Sequence, residues 1–212
     1  MTKPEIILNQ LALMFPNAKV ELNHQNHFEL LIAVVLSAQT TDVSVNKVTP
    51  MLFSKYPDAL ALSKAELKDV ENRIKTIGLY HNKAKNIIEL SKELVEKYNH
   101  QVPCKREELE RLPGVGRKTA NVVLSNACGI PALAVDTHVD RVSKRLGLAK
   151  INDTVLQVEQ KLMRKFPKTE WQKIHHQLIF FGRYHCLAKN PKCESCPLYD
   201  LCVYKDKKKR DL

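Results

Sequence analysis

From Phe28 to Ser37 the sequence runs Phe-Glu-Leu-Leu-Ile-Ala-Val-Val-Leu-Ser, apolar nearly all round. A helix of that composition has no face to give to water, so it must lie among other helices. Its uninterrupted apolar run, Leu30 to Leu36, is seven residues, well short of the roughly 20 that span a membrane. It therefore marks the central helix of a packed domain. Elsewhere apolar residues recur at three and four spacing and alternating runs are scarce, so the chain is expected to be all-α. Ile6, Ile7, Leu11 and Met14 share one face of a first helix that should stop at Phe15, because Pro16 disfavours helical geometry in the residue before it. Further helices are expected near 43–55, 66–75, 83–98, 106–111, 117–128, 137–146, 154–165 and 170–182, joined by short loops.

At 212 residues the chain fits one large domain or two small ones. Lys and Arg number 34 against 23 Asp and Glu, a net charge of +11 without a long single-sign block. Such basicity is spread over a folded surface, and its natural partner is a polyanion. The opening Met1-Thr2-Lys3-Pro4-Glu5 lacks the basic and then long apolar pattern of a secretory peptide, which reads as cytoplasmic. In a reducing compartment, six cysteines are metal ligands or buried hydrophobes before they are disulfides. The end Lys205-Asp206-Lys207-Lys208-Lys209-Arg210 reads as a frayed charged tail.

The stretch Leu112-Pro113-Gly114-Val115-Gly116-Arg117-Lys118-Thr119-Ala120-Asn121-Val122-Val123 reads as the turn and second helix of a helix-hairpin-helix spanning about 106–128. Its glycines leave the backbone bare, so that amides at the turn and at the helix start can approach a phosphate. An ordinary tight connection between antiparallel helices would use the same residues. Arg117 and Lys118 stand at the positive end of a helix dipole, where stability gives little reason for cations and a bound anion would supply one. That dipole, the neighbouring Arg117 and partial burial would favour a neutral Lys118 amine, a nucleophile able to form a Schiff base; neutralising phosphate is the alternative use. A weak echo of the motif, Ile77-Gly78-Leu79-Tyr80, also has Gly and Ala six residues apart and suggests a repeated turn unit. In Val135-Asp136-Thr137-His138, Asp136 is placed to cap a helix and, held ionised there, to face a developing positive charge. His138 would contact phosphate or only fill a polar surface.

Four further cysteines follow the spacing Cys186-x6-Cys193-x2-Cys196-x5-Cys202, within a Pro-punctuated stretch. Four thiolates suit tetrahedral Zn or a 4Fe-4S cluster, and the residues leave both open. A catalytic Zn would need an open coordination position, which four cysteines deny it. Lys189 and Lys192, in the loop between the first two ligands, would be displayed toward a phosphate backbone. Cys104 and Cys128 read as packing residues.

Together these motifs resemble the endonuclease III family of helix-hairpin-helix DNA glycosylases, from about Phe28 through Cys202. The resemblance implies a six-helix barrel domain over 20–130 and a helical iron–sulfur domain formed by 1–19 with 131–212. The cysteines of the 186–202 loop would hold a 4Fe-4S cluster, and DNA would bind across a cleft. It implies a bifunctional enzyme that releases oxidised pyrimidines from double-stranded DNA and cleaves the strand 3′ to the abasic site, acting as a monomer in the bacterial nucleoid. Lys118 matches the attacking lysine and Asp136 the assisting carboxylate. Gln39 and Leu79 match residues that enter the duplex once the target base is extruded. Gly114, Val115, Gly116, Arg117, His138, Lys189 and Lys192 complete the expected DNA contacts. The adenine-mismatch branch typically lacks a lysine at position 118 and carries a further C-terminal domain, and the oxidised-guanine branch lacks the cysteines. Thr40 departs from the Ala common after Gln39. A non-catalytic DNA-binding or metal-sensing protein is the competing reading.

Overall fold

The structure, a computed structural model, describes residues 1–209. In chain order its α-helices are α1 (Lys3–Met14), α2 (His27–Leu36), α3 (Asp42–Lys55), α4 (Ala59–Ser63), α5 (Leu67–Ile74), α6 (Tyr80–Lys97), α7 (Arg106–Leu109), α8 (Arg117–Asn126), α9 (Thr137–Arg145), α10 (Val155–Lys165) and α11 (Trp171–Phe180). Among the described residues there is no strand, and no helix is long and apolar enough to cross a membrane. The chain divides into two compact units, Glu21–Ile130 and Met1–Val20 with the chain from Pro131 onward.

The Glu21–Ile130 unit is built round α2, nine of whose ten residues are buried. Asn26 caps it, its side chain accepting from the Glu29 amide at 2.9 Å. Helices α3, α6 and α8 pack against α2, while α4 and α5 pack on α6. Helix α4 was not expected: five residues are too few for periodicity to register, and its signal is Asp58, which accepts from the Ala61 amide at 2.7 Å. Helix α6 begins three residues before its apolar pattern does, since Leu79 turns the chain directly into it.

Cys104 and Cys128 are not packing residues. They form a disulfide between residues 24 apart in sequence, and Cys104 is exposed. The bridge joins the segment before α7 to the segment after α8, so it closes a loop round the whole hairpin. By the loop-closure entropy of a bridge across 24 residues, Cys104→Ser is expected to cost about 3 kcal/mol of stability. Denaturation midpoints with and without reductant check this: reductant should lower the midpoint of the parent chain and leave that of the variant unchanged.

In the other unit, Ile7 and Leu11 of α1 join Val139, Val142, Leu162, Ile174, Leu178 and Phe181 in one apolar core. As Pro16 requires, α1 gives way at Phe15, whose amide still donates to Leu11 O. Helix α11 runs into a wider π-turn, Phe181–His185, which delivers the chain to Cys186. Arg210 of the charged tail lies outside the described residues. Before it the tail is anchored, not frayed: Lys207 Nζ donates to Tyr199 O at 3.1 Å and to Cys202 O at 3.0 Å.

Candidate functional site

Between α7 and α8 the chain turns at Gly114, whose φ of +78° is the left-handed region that L side chains avoid. A Cβ there would also lie 3.0 Å from Asn86 Nδ2 and 3.2 Å from Val35 Cγ1. Val115 is buried, and its amide donates to Leu112 O at 3.0 Å, so packing and closing the turn engage both its side chain and its N–H. At Gly116 an added Cβ would meet nothing within 4 Å. This residue precedes the first turn of α8 without any side-chain cap, which leaves bare backbone facing open space at the positive end of a helix. Arg117 and Lys118 are the first two residues of that helix, and both are exposed. Partial burial, counted among the influences on Lys118, is therefore absent: α8 turns its first two side chains outward and buries the next two, Thr119 and Ala120. The echo of this motif turns differently from the hairpin. At Ile77–Tyr80 the left-handed residue is Leu79 itself, one position later than Gly114 in the hairpin.

Gln39 (φ 54°) and Leu79 (φ 59°) are two of the few non-glycine residues with left-handed backbone, a conformation that costs of order 1 kcal/mol or more for a residue with a side chain. Both side chains are exposed, Leu79 at 57%. Sequence reasoning missed the residue that lies behind them. Lys83 is only 5% exposed and its Nζ donates to Thr40 Oγ1 at 2.6 Å. Burial pushes its ammonium below the ordinary lysine range. Its sequence signal was a lysine on the apolar stripe of α6, one turn before Ile87.

In the other unit, Asp136 caps α9, its Oδ1 accepting from the Val139 amide at 2.8 Å. His138 follows, half-buried, with Nδ1 3.3 Å from an Arg141 nitrogen; burial foremost pushes the imidazole below its usual range. Arg141 also donates to Gly182 O at 2.8 Å and to Cys186 O at 3.1 Å, tying α9 to the π-turn. Gly182 allows this approach, since a Cβ on it would lie 2.9 Å from His138 Cβ. That atom is fixed to the backbone and cannot rotate away. Gly182→Ala is expected to cost about 1–3 kcal/mol and to displace the start of α9, read as a lower melting temperature with a matching loss of activity.

Cys186, Cys193, Cys196 and Cys202 line a single cavity with Arg145, His185, Tyr199 and Lys207. None of the four is in a disulfide. Burial pushes the Cys196 thiol up to about 11, with the other three sulfurs adding to the effect; burial likewise raises Cys186. Thiolates crowded in this way repel one another, and a cationic metal group cancels that repulsion. His185 Nε2, which belongs to a residue lining the same cavity, is buried without a hydrogen-bond partner among the described residues. No three His, Cys, Asp or Glu side chains among the described residues close on a single metal ion. Four cysteines round one cavity supply the complete thiolate set that a 4Fe-4S cluster takes.

Cations hold the loop's carbonyls. Arg145 donates to Cys186 Sγ at 3.4 Å, to Leu187 O at 2.6 Å and to Ala188 O at 3.1 Å, and lies 4.1 Å over the Tyr204 ring. Lys3 Nζ donates to Leu201 O at 2.7 Å. Lys189 and Lys192 are exposed on the loop. Arg141, Arg145 and Lys207 were not picked out from the sequence, where nothing distinguishes them from other surface cations.

Comparison with known proteins agrees with this geometry. Residues 32–168 match the model of the HhH-GPD superfamily base excision DNA repair proteins, and residues 186–202 match that of the iron-sulfur binding domain of endonuclease III. Endonuclease III of Bacillus subtilis is 56% identical over 207 residues, covering 98% of this chain and 94% of that one. Endonuclease III of Escherichia coli K12 is 50% identical over 201 residues, 95% of each. A solved trapped endonuclease III–DNA covalent intermediate superposes with a TM-score of 0.92 at 57% identity, covering 96% of both chains. A thermostable thymine-DNA glycosylase, 24% identical with a TM-score of 0.87, shares the fold. By its sequence, its all-helical fold and its cysteine loop, the chain belongs to the endonuclease III family of the HhH-GPD superfamily of base excision DNA repair proteins.

Proposed function

We propose that this chain is a bifunctional DNA glycosylase and AP lyase of base excision repair, acting as a monomer on double-stranded DNA that carries oxidised pyrimidines or abasic sites, in the bacterial nucleoid. The observation that carries the reading is Lys118: an exposed amine on the uncapped first turn of α8, beside Arg117, at a helix end where cations lower stability. A DNA phosphate against the Gly116 turn offsets that penalty, with Arg117 beside it, and His138, Lys189 and Lys192 of the other unit are further contacts to the DNA backbone. Gln39 and Leu79 enter the stack in place of the extruded nucleotide.

The Lys118 amine then bonds to C1′ as the glycosidic bond breaks, its electron pair leaving with the base, which takes up a proton. Loss of the amine proton and opening of the sugar ring give an imine between Nζ and C1′. The imine acidifies C2′; a base removes a C2′ proton, and the C3′–O bond breaks with its electrons on the departing phosphate, cutting the strand 3′ to the lesion. Asp136, fixed by its cap bond, faces the positive charge that grows as the base leaves. A 4Fe-4S cluster held by Cys186, Cys193, Cys196 and Cys202 supplies a covalent tie among four points of the loop. Arg145 and Lys207 orient that loop.

Incubation with duplexes bearing one oxidised pyrimidine, one abasic site or one adenine mismatch tests the reading. Strand cleavage is expected for the first two and not the third; binding without any cleavage would favour the non-catalytic alternative. Asp136→Asn separates the two roles of that carboxylate. Asn caps helices about as well as Asp, so stability should change by less than about 0.5 kcal/mol, while base release should slow by on the order of 100-fold.

A further inference from the structure

We infer that Lys83 is a positioning residue that ties the turn carrying Gln39 to the turn carrying Leu79, so that the two side chains enter the duplex as one unit. The inference rests on the proposed insertion of those two residues. Lys83 engages both turns at once. Its backbone amide donates to Leu79 O at 3.0 Å, closing the turn behind Leu79. Its ammonium donates to Thr40 Oγ1 at 2.6 Å, gripping the residue that follows Gln39. Residues 40 and 83 are 43 apart in sequence, and each neighbours or closes a turn whose exposed residue has left-handed backbone.

Folding alone does not account for such a lysine. It is 5% exposed, and among the described residues no carboxylate pairs with it. An ammonium buried without a counter-charge is unfavourable, and its place in the opening turn of α6 sets it against the positive end of that helix. A Met or Leu would fill the same space on the apolar stripe without either penalty. Where a local rule is broken in this way, a functional constraint is the expected reason. Here that constraint is geometric: Gln39 and Leu79 each spend backbone strain to project, and projection is useful only if both arrive together on the two sides of one vacated position. A single donor joining their turns fixes their separation.

Lys83→Met keeps the stem and removes the ammonium. Thr40→Ala, in an exposed turn, removes the acceptor with little risk to folding, and Thr40→Ser restores it. Two substrates distinguish positioning from general damage: a duplex containing an oxidised pyrimidine, and a single strand containing a preformed abasic site, which is already unstacked and needs no insertion. Lys83→Met and Thr40→Ala are each expected to slow single-turnover cleavage of the duplex about tenfold, the weight of one charge-assisted hydrogen bond. Cleavage of the single strand should be unchanged, the double variant should be no slower than either single one, and Thr40→Ser should regain the parent rate. A 2-aminopurine beside the lesion should brighten less for both variants than for the parent.

Equal losses on both substrates, additive losses in the double variant, or no loss on the duplex would overturn the inference. Gln39→Ala and Leu79→Ala are run beside them. If these two slow the duplex reaction and the Lys83 and Thr40 variants do not, the tie alone is wrong; if they too have no effect, the insertion reading falls and takes the tie with it.

Discussion

Lys118→Ala is expected to abolish strand cleavage while leaving the protein as stable as before or slightly more so. With borohydride present, the parent chain should yield a covalent adduct with an abasic duplex that survives denaturing electrophoresis, because reduction fixes the imine as an amine. The variant should yield none. Loss of a nucleophile that acts as a unit with its neighbours costs roughly 10⁴-fold or more in rate. The stability effect has the opposite sign, since Lys118 stands second in α8, where removal of a cation relieves about 0.3–1 kcal/mol of repulsion with the helix dipole. A melting temperature that fell in step with activity would mean that the lysine holds the fold and not the sugar. Lys118→Arg provides a further check: it keeps the charge and any phosphate contact, but its guanidinium stays protonated and cannot attack. DNA binding retained with cleavage lost is the expected pattern.

Cys196→Ser is expected to remove the iron–sulfur centre and to unsettle the loop round it. Cys196 is buried, and that burial pushes its thiol up to about 11. A serine there leaves three thiols and a poorly hydrated hydroxyl in a cavity suited to four thiolates. The expected cost is about 4–5 kcal/mol or more, the range reached when a structural metal is lost. Iron content and visible absorption measure the loss of the centre, and limited proteolysis between residues 186 and 209 measures the loosening. Arg145→Met provides the contrast. It removes the donor to Cys186 Sγ and the clamp on Leu187 O and Ala188 O while keeping all four ligands, so iron should be retained with a shifted absorption spectrum and faster proteolysis.

Much of the fold could be read from periodicity, because helices of ten or more residues repeat their apolar spacing often enough to register. Helix α4, at five residues, does not, and only its Asp58 cap announced it. Asp136 was legible as a cap because the signal is local, one side chain answering an amide three residues on. The Cys104–Cys128 bridge was not: two cysteines 24 apart carry no spacing signature, and cysteine usage alone pointed away from disulfides. Lys118 was expected to be partly buried, but exposure in a first turn depends on which way the hairpin aims the helix. The pairing of Lys83 with Thr40 lay furthest from sequence reasoning, which noted Thr40 only as a departure from Ala. Neither residue points to the other from its own segment, and their pairing exists only once α6 has packed.

One of the two units is assembled from both ends of the chain, and that has a bearing on how the protein is made. Helix α1 leaves the ribosome before the Glu21–Ile130 unit, and the α11 surface against which Ile7 and Leu11 are buried emerges after it. At about 5–20 residues per second of synthesis, the intervening unit can fold while the leading helix waits with an oily stripe uncovered. For those seconds the newborn amino-terminal segment is a natural client for chaperones.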